Sequence, residues 1–518
     1  MIKKLIVLVL ALAMILSLVA CGKSGNDADD AGAGSAGGAD AVDKTAEINV
    51  GLYALTNSLE PLSEDFVIAN IIVYHVYDRL VEFVPSSIEW LPGIAKSWQQ
   101  VDDQTWNFEI NLDYKFSNGD QLTMEDVAFS ILRLKDIPKV AEIGALIDSV
   151  TYDGTTLTIK GINADNTLMH KVLSRAVIVD KAYLESGGDE ALYAKPIGTG
   201  PYAVTEFTPN ATCSIEVWDG YPFEKPQIDK INFSVIVETN SRYVALETGQ
   251  LQVSHYFTPF EMGMAEENPN LSTMYEPTML IFSLLFNTKR PPFDNANVRR
   301  ALAYAFDRDG FCSLLGGRLP ARTSLFIGAE DFMRTSPNMP GYDLEMAKSL
   351  LEAEGYNDSN PLRFTVTCNT ESDPGIEMYK AALSNIGVDM TISILEFSVF
   401  LGSAMMTGDF EMAFTVQPNI GNHPLTDIDR YDSNLYGVRN ETLFFNERAQ
   451  EIIDEFRFIP ASDPRLKQLA DELTDIVAQE VPMIPIYIIE ANLAFDNRIS
   501  GIVIDNSVIS FRSATFSN

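Results

Sequence analysis

Trp106-Asn-Phe-Glu-Ile-Asn-Leu112 sets Trp106, Phe108, Ile110 and Leu112 against Asn107, Glu109 and Asn111, the alternation of a strand with one buried face. Phe116-Ser-Asn-Gly-Asp120 follows, with the turn pair Asn118-Gly119, and then Met124-Glu-Asp-Val-Ala-Phe-Ser130. Thr123 and Asp126 have capping-box spacing ahead of the stripe Val127, Ile131 and Leu134, which predicts a helix from Met124 to about Lys135. Outward from this strand, turn and helix, the same mixture continues. Strands are expected at Thr155–Lys160, Cys213–Trp218, Ile231–Val237, Leu362–Thr367 and Met390–Leu395. Helices are expected at Asn295–Phe306 and at Leu344–Glu354, the latter capped by Asp343 and stopped by Gly355. The body is α/β, without internal repeats.

The N-terminus has a different character. Met1-Ile-Lys-Lys leads into an apolar run, Leu5 to Leu16, and then Leu18-Val-Ala-Cys21. A basic start, a short apolar stretch and small residues before a cysteine read as a lipoprotein export signal over residues 1–20. The run falls short of the roughly 20 apolar residues of a membrane span. The lipoprotein resemblance implies lipid on Cys21, which becomes the new N-terminus; an uncleaved anchor with an incidental cysteine is the alternative. Residues 21–46, mostly Gly, Ala, Ser and Asp, read as a flexible tether. From Glu47, the strand-like Ile48, Val50, Leu52 and Tyr53 open the folded body.

That body is long enough for two or three domains of roughly 100–200 residues each. The whole chain of 518 residues carries 37 basic and 72 acidic side chains, 37 − 72 = −35. Phosphate binding needs clustered Lys and Arg, so nucleic acid is excluded as a partner. Besides Cys21, only Cys213, Cys312 and Cys368 remain, with no CxxC pattern. Buried thiols and a Cys312–Cys368 bridge are both open at this point.

Several ordered segments carry a resemblance. Leu91-Pro-Gly-Ile-Ala-Lys-Ser-Trp98, the strand, turn and helix above, Ile197-Gly-Thr-Gly-Pro-Tyr202, Asn287-Thr-Lys-Arg-Pro-Pro-Phe293 and Val298-Arg-Arg-Ala-Leu302 with Phe306-Asp-Arg308 succeed one another. Tyr342-Asp-Leu-Glu-Met-Ala-Lys348, Glu354-Gly-Tyr356 and Val481-Pro-Met-Ile-Pro485 complete the series. In order and spacing the chain resembles the extracellular solute-binding proteins of the peptide/nickel class, family 5 of the ABC-importer receptors. The motifs also have plain structural readings. Gly198, Gly200 and Pro201 suit a tight entry to a strand at Tyr202; Asp294 reads as a helix N-cap, with Phe293 and Val298 as its staple; Arg299 and Arg308 read as structural ion-pair residues.

The resemblance implies a two-lobed, periplasmic-binding-protein-like α/β fold of type II, with the ligand cleft between lobes joined by crossing strands. Lobe I would comprise 47–87, 196–286 and 487–518, with a subdomain inserted at 88–195, and lobe II 287–486. Ligand would shift the population toward a closed form, which then docks on a membrane permease served by a cytoplasmic ATPase.

Peptide-binding relatives use an aspartate, a few residues past a Trp, for the ligand's amino terminus. Here Glu411-Met-Ala-Phe-Thr-Val416 runs into Gln417-Pro-Asn-Ile-Gly-Asn-His423, with no Trp and no acid before Asp427. A neutral segment cannot offset a buried ammonium. Candidate cleft residues at expected strand ends are Tyr53, Thr56 and Asn57; His255, Tyr256 and Phe257; and Thr415, Gln417 and Asn419. Aromatics with polar tips and amides suit a polar ligand with apolar portions. Arg322 is a candidate carboxylate partner through its planar fork, with a surface position as the plainer reading. His75 reads as structural; no two of the four histidines have ligand-like spacing, and a His255–His423 pair across the cleft is the candidate for a metal or chelate. No metal, cofactor or catalytic motif is expected.

The resulting expectation is a monomeric, lipid-anchored receptor on the outer face of a bacterial cytoplasmic membrane, delivering an oligopeptide or similar amide-rich solute to an ABC importer. A peptide-signal sensor, a nickel-chelate binder and a secreted hydrolase on the same body are the alternatives.

Overall fold

Ile48, Val50 and Leu52 point into the interior from the first strand, β1 (Glu47–Leu52), and seed the sheet around which the chain folds. The computed structural model describes residues 46–517 apart from 63–66, 84–89, 139, 164–165, 174, 188–191, 194, 370–373, 418–422, 460–462 and 506–507. The export signal, Cys21, nearly all of the tether and Asn419 lie outside the described residues.

The central sheet adds β2 (Tyr202–Thr208), β3 (Thr212–Val217), β4 (Lys230–Val235), β5 (Val253–His255), β6 (Leu271–Phe286), β7 (Leu319–Pro320), β8 (Leu362–Cys368), β9 (Val388–Ile394), β10 (Met412–Gln417) and β11 (Met483–Asp496). Its order is β9-β8-β10-β6-β11-β5-β1-β4-β3-β2, with β7 also on β11. Two parallel groups are embedded in it: β1 with β4 and β5, and β8 with β9 and β10. The long antiparallel pair β6 and β11 joins them, its ladder irregular between Pro277 and Ile281. Two lobes therefore share one sheet, and the expected two-lobed α/β fold is the fold found.

The inserted subdomain carries a second, antiparallel sheet of Ala95–Gln100, Thr105–Ile110, Thr156–Gly161 and Ile147–Asp153. Its core is continuous with that of lobe I, running from Ile48 and Phe233 through Phe108 and Leu157. A buried fork fastens the two: Arg133 Nη1 and Nη2 donate to Glu60 Oε1 and Oε2 at 2.8 and 2.7 Å. Lobe II has cores of its own, one around Phe286, Phe364 and Phe414, another around Ile428, Phe456 and Leu473.

Local expectations fare well where chemistry is local. Helix α1 spans Val67–Val76 and α2 Met124–Leu132, the latter closed by the Thr123/Asp126 capping box and continued by a 3-10 turn to Lys135. Helix α3 spans Asn166–Leu173, α4 Ala296–Tyr304, α5 Arg308–Leu314 and α6 Leu344–Ala353, with Asp343 capping α6 and Gly355 at φ +90 beyond it. The cap of α4 is Asn295, whose side chain accepts from Asn297 N, and not Asp294: an Asx turn one residue later satisfies the first free amide. Helix α1 ends at Val76, and Val81 opens a short strand. Gly198 and Gly200 have a stronger reason than a turn. A Cβ on Gly198 would sit 2.1 Å from Val76 O, and one on Gly200 2.6 Å from His75 O, so the backbone there runs against the end of α1.

Arg299 and Arg308 are structural, mainly through carbonyls. Arg299 donates to Phe293 O, Glu480 O and Val481 O and also pairs with Glu480 at 3.4 Å; Arg308 Nε donates to Pro485 O at 2.7 Å. They tie α4 and α5 to the head of β11, which explains the Val481–Pro485 motif. The three described cysteines are buried thiols, and Cys312 and Cys368 are not bridged to each other. No helix among the described residues is long and apolar enough to cross a membrane.

Candidate functional site

In parallel sheets, ligands sit outside the carboxyl ends of the strands, where free backbone groups and loops converge. Here those ends are Leu52, Val235 and His255 in one lobe and Cys368, Ile394 and Gln417 in the other. The rule leads to Tyr53, to Tyr256 and to Gln417.

At the lobe I end the rings of Tyr53, His255 and Tyr256 pack together, Tyr53 edge-on to Tyr256 at 5.3 Å and 6.0 Å from His255. Tyr256 is held at φ +54, a costly conformation for a bulky residue, by Arg242 Nη2 on its carbonyl and by its own amide on Asn492 O. Burial, with the nearby Arg242, depresses the pKa of His255 to about 3, and neither of its ring nitrogens has a hydrogen-bond partner among the described residues. A buried polar group without a partner stands out against the rule that such groups are satisfied. Phe257 is core: its backbone exchanges hydrogen bonds with the Asn492 amide. Thr56 is buried in its own turn against Ser58, and Asn57 is exposed. Arg322 pairs with Asp309 at 2.5 Å on a partly exposed face.

At the lobe II end, Thr415 lies half-buried opposite Ser283, and Gln417 reaches a cavity of about 140 Å3 between lobe II and the inserted subdomain. The subdomain contributes Glu142, Ile143, Leu146 and Lys171 to its wall. Lobe II contributes Gln417 and residues of the stretch from Thr426 to Glu441. Among the described residues two ion pairs bridge the parts, Lys171 to Asp429 at 2.8 Å and Arg439 to Glu142. Burial alone would raise the pKa of Asp429, but Lys171 and Arg457 outweigh it and hold the carboxyl below its usual range. Within lobe II, Arg430 pairs with Asp427 at 3.0 Å, while Asp427 Oδ2 takes the amide of Ile327. Gln417 Nε2 donates to Glu441 at 2.7 Å.

Beside the cavity three rings form a stack. Trp90 Nε1 donates to His170 Nδ1 at 2.8 Å, and His423 lies on the His170 face with centroids 3.6 Å apart. His423 thus meets His170 rather than the expected His255. The reason is topological: His423 follows β10 onto the subdomain face, while His255 ends β5 inside lobe I. Stacked rings present faces, not lone pairs, to each other, and among the described residues no group of three or more His, Cys, Asp and Glu could hold a metal. His75 is structural, its Nε2 accepting from Phe511 N and its Nδ1 2.6 Å from Ile71 O.

Of the predicted residues, then, Gln417 lines the cavity, while Tyr53, His255 and Tyr256 form a separate cluster. Sequence reasoning misses Lys171, Asp427, Asp429, Arg430 and Glu441 as site residues. Asp427-Ile-Asp-Arg430 looks like a solvated charge run, and nothing local announces that tertiary contacts bury it.

Residues 89–436 match the family model of the bacterial extracellular solute-binding proteins, family 5 (middle region), and the chain belongs to that family. The Escherichia coli K12 dipeptide-binding protein is 26% identical over 366 residues, covering 64% of this chain and 68% of that one. Heme-binding protein A of Haemophilus influenzae is 24% identical over 450 residues, covering 79% and 81%. The structure of HbpA2 from Haemophilus parasuis superposes with a TM-score of 0.80 at 21% identity, over 91% of this chain and 100% of that one, which establishes the shared fold.

Proposed function

We propose that this protein is the capture subunit of an ABC importer, anchored by lipid on Cys21 at the outer face of a bacterial cytoplasmic membrane. It takes an oligopeptide or similar amide-rich solute as a monomer and hands it, without chemical change, to the permease. Residues 47–87, 196–286 and 487–518 act as lobe I, 88–195 as its inserted subdomain and 287–486 as lobe II. The observation that carries the reading is the cavity between subdomain and lobe II, lined by amide, apolar and paired charged groups and spanned by the ion pairs Lys171–Asp429 and Arg439–Glu142. Such bridges form only when the two parts meet, so a guest that supports the meeting shifts the population toward the closed form. Family membership and relatives named for dipeptide and heme binding support solute capture.

Mass spectrometry of the full-length protein, purified from membranes without denaturation, tests both halves of the proposal. The expected result is a co-purifying small amide-containing solute and an N-terminal peptide beginning at an acylated Cys21. A protein that carries no solute and gains no thermal stability from a peptide library overturns the capture role. A soluble product with an unmodified N-terminus overturns the anchor.

A further inference from the structure

Lobe II encloses a second, smaller cavity of about 20 Å3, with no lining residue in common with the first. Ala303 of α4, Arg308 of α5, the stretch from Arg322 to Leu325, the last turns of the helix Arg465–Glu480 and the head of β11 form its wall. Arg308 is only 5% exposed, and the one hydrogen bond it makes among the described residues runs from Nε to Pro485 O at 2.7 Å. Its two Nη groups carry the rest of the guanidinium charge, and among the described residues no carboxylate pairs with them.

The acids beside the cavity are engaged elsewhere. Asp309 pairs with Arg322 at 2.5 Å, Asp307 caps α5 by accepting from Gly310 N at 2.9 Å, and Asp475 pairs with Arg334 at 2.7 Å and accepts from the Ser336 hydroxyl. The hydroxyls of the wall are engaged as well: Thr323 donates to Leu325 O, Thr474 donates to Ala470 O, and Ser324 is bonded to Tyr431. Burial, with Arg322 close by, pulls the pKa of Arg308 down to about 10, which Cys312 and Asp309 only partly offset. Arg308 is therefore still a cation at neutral pH, and a buried charge calls for an opposite one.

The size of the cavity decides what can supply it. One water needs about 10–15 Å3, so this space admits a single particle somewhat larger than water and excludes phosphate, sulfate and carboxylate groups. A water would meet the free donors and leave the charge unbalanced; a halide answers both.

We propose that this cavity is a binding site for a monatomic anion of the halide class, with the Nη groups of Arg308 as its donors, and that the ion ties α5 to the helix Arg465–Glu480 and the head of β11. The inference is independent of the solute-capture reading, because the ion belongs to the framework of lobe II.

The test follows the melting temperature of the full-length protein while chloride replaces gluconate at constant ionic strength. The expected result is a rise of about 2 °C or more, the size that mass action predicts for a site filled well beyond half. Bromide should give the same rise and acetate none, and crystals grown in bromide should show an anomalous peak within hydrogen-bond reach of the Arg308 Nη groups. Arg308→Gln should abolish the dependence on chloride. A melting temperature indifferent to chloride overturns the inference, as do a chloride effect that survives in Arg308→Gln and an equal rise with acetate. If Arg308→Gln fails to fold, the bromide peak in the wild type decides: its presence beside Arg308 supports the site and its absence overturns it.

Discussion

The imidazole of His170, on the inserted subdomain, lies face to face with that of His423 in lobe II, centroids 3.6 Å apart and planes 17° from parallel. Trp90 donates to His170 Nδ1, so that nitrogen is an acceptor and the ring is neutral. His423 Nδ1 likewise accepts, from Leu425 N at 3.3 Å. A proton on His170 would break its bond from Trp90 and place a cation beside Lys171. The stack therefore joins subdomain to lobe II in its uncharged form only.

That relationship gives a pH prediction. Burial, with a smaller effect from Lys171, lowers the pKa of His170 to about 3, whereas the unfolded chain titrates near 6.5. Between those values the unfolded chain binds the proton and the folded one does not, so stability is lost as pH falls below about 6.5. At pH 5 one such histidine costs about 2 kcal/mol relative to pH 7. Urea unfolding of wild type and His170→Gln at both pH values should show the acid loss reduced by about that amount in the variant. An identical loss in both would contradict a neutral, buried His170.

The Glu60–Arg133 fork predicts a large asymmetric cost. Both side chains are almost fully buried, so Glu60→Ala removes both hydrogen bonds that its carboxylate accepts from the guanidinium and should destabilise by about 3–5 kcal/mol. Replacing both residues by apolar ones of similar size should cost much less. Denaturation midpoints of the single and double variants measure the difference.

Two glycines make an opposed pair. Gly198→Ala forces a methyl against Val76 O and should cost about 3 kcal/mol or more, by pushing the strand entry off the end of α1. Gly263, in the helix Pro259–Glu267, has nothing within 4 Å of the Cβ position, so Gly263→Ala should stabilise by about 0.5–1 kcal/mol. Differential scanning calorimetry should show melting shifts of opposite sign.

Tyr256 should matter to ligand more than to folding. Its backbone at φ +54 and its place at the mouth of β5 make it the lobe I candidate to test. Tyr256→Ala should remove most of the ligand-induced rise in melting temperature while the empty protein stays folded. An undiminished rise would place the lobe I contacts elsewhere.

The alternation in Trp106–Leu112, the Thr123/Asp126 box and the Asp343 cap all work within a few residues, so these elements are legible in the amino-acid order by itself. The α4 cap slips by one residue because Asp294 and Asn295 are both good caps, and the order of residues alone does not rank them. Gly198 looks like a turn glycine, because its true constraint lies on a helix far away in sequence. The site divides in the same way. Gln417 ends a strand and is found on that ground; Glu441 sits in an irregular loop and reaches the cavity wall only through the tertiary fold. His423 stands out in the chain but is matched there with the wrong partner, since spacing along the chain carries no information about which face of the subdomain it meets.

β6 and β11 carry the chain across the middle of the sheet as a two-stranded ribbon whose ladder lapses between Pro277 and Ile281. Four apolar cores lie to either side of that lapse or beyond it, and only the small cluster of Ile281, Ile488, Ala321 and Ile327 sits on the joint itself. Swivelling at such a joint would undo the Lys171–Asp429 and Arg439–Glu142 bridges and the His170–His423 stack, which are contacts between finished parts, so its pace is set apart from the rate at which the molecule would denature.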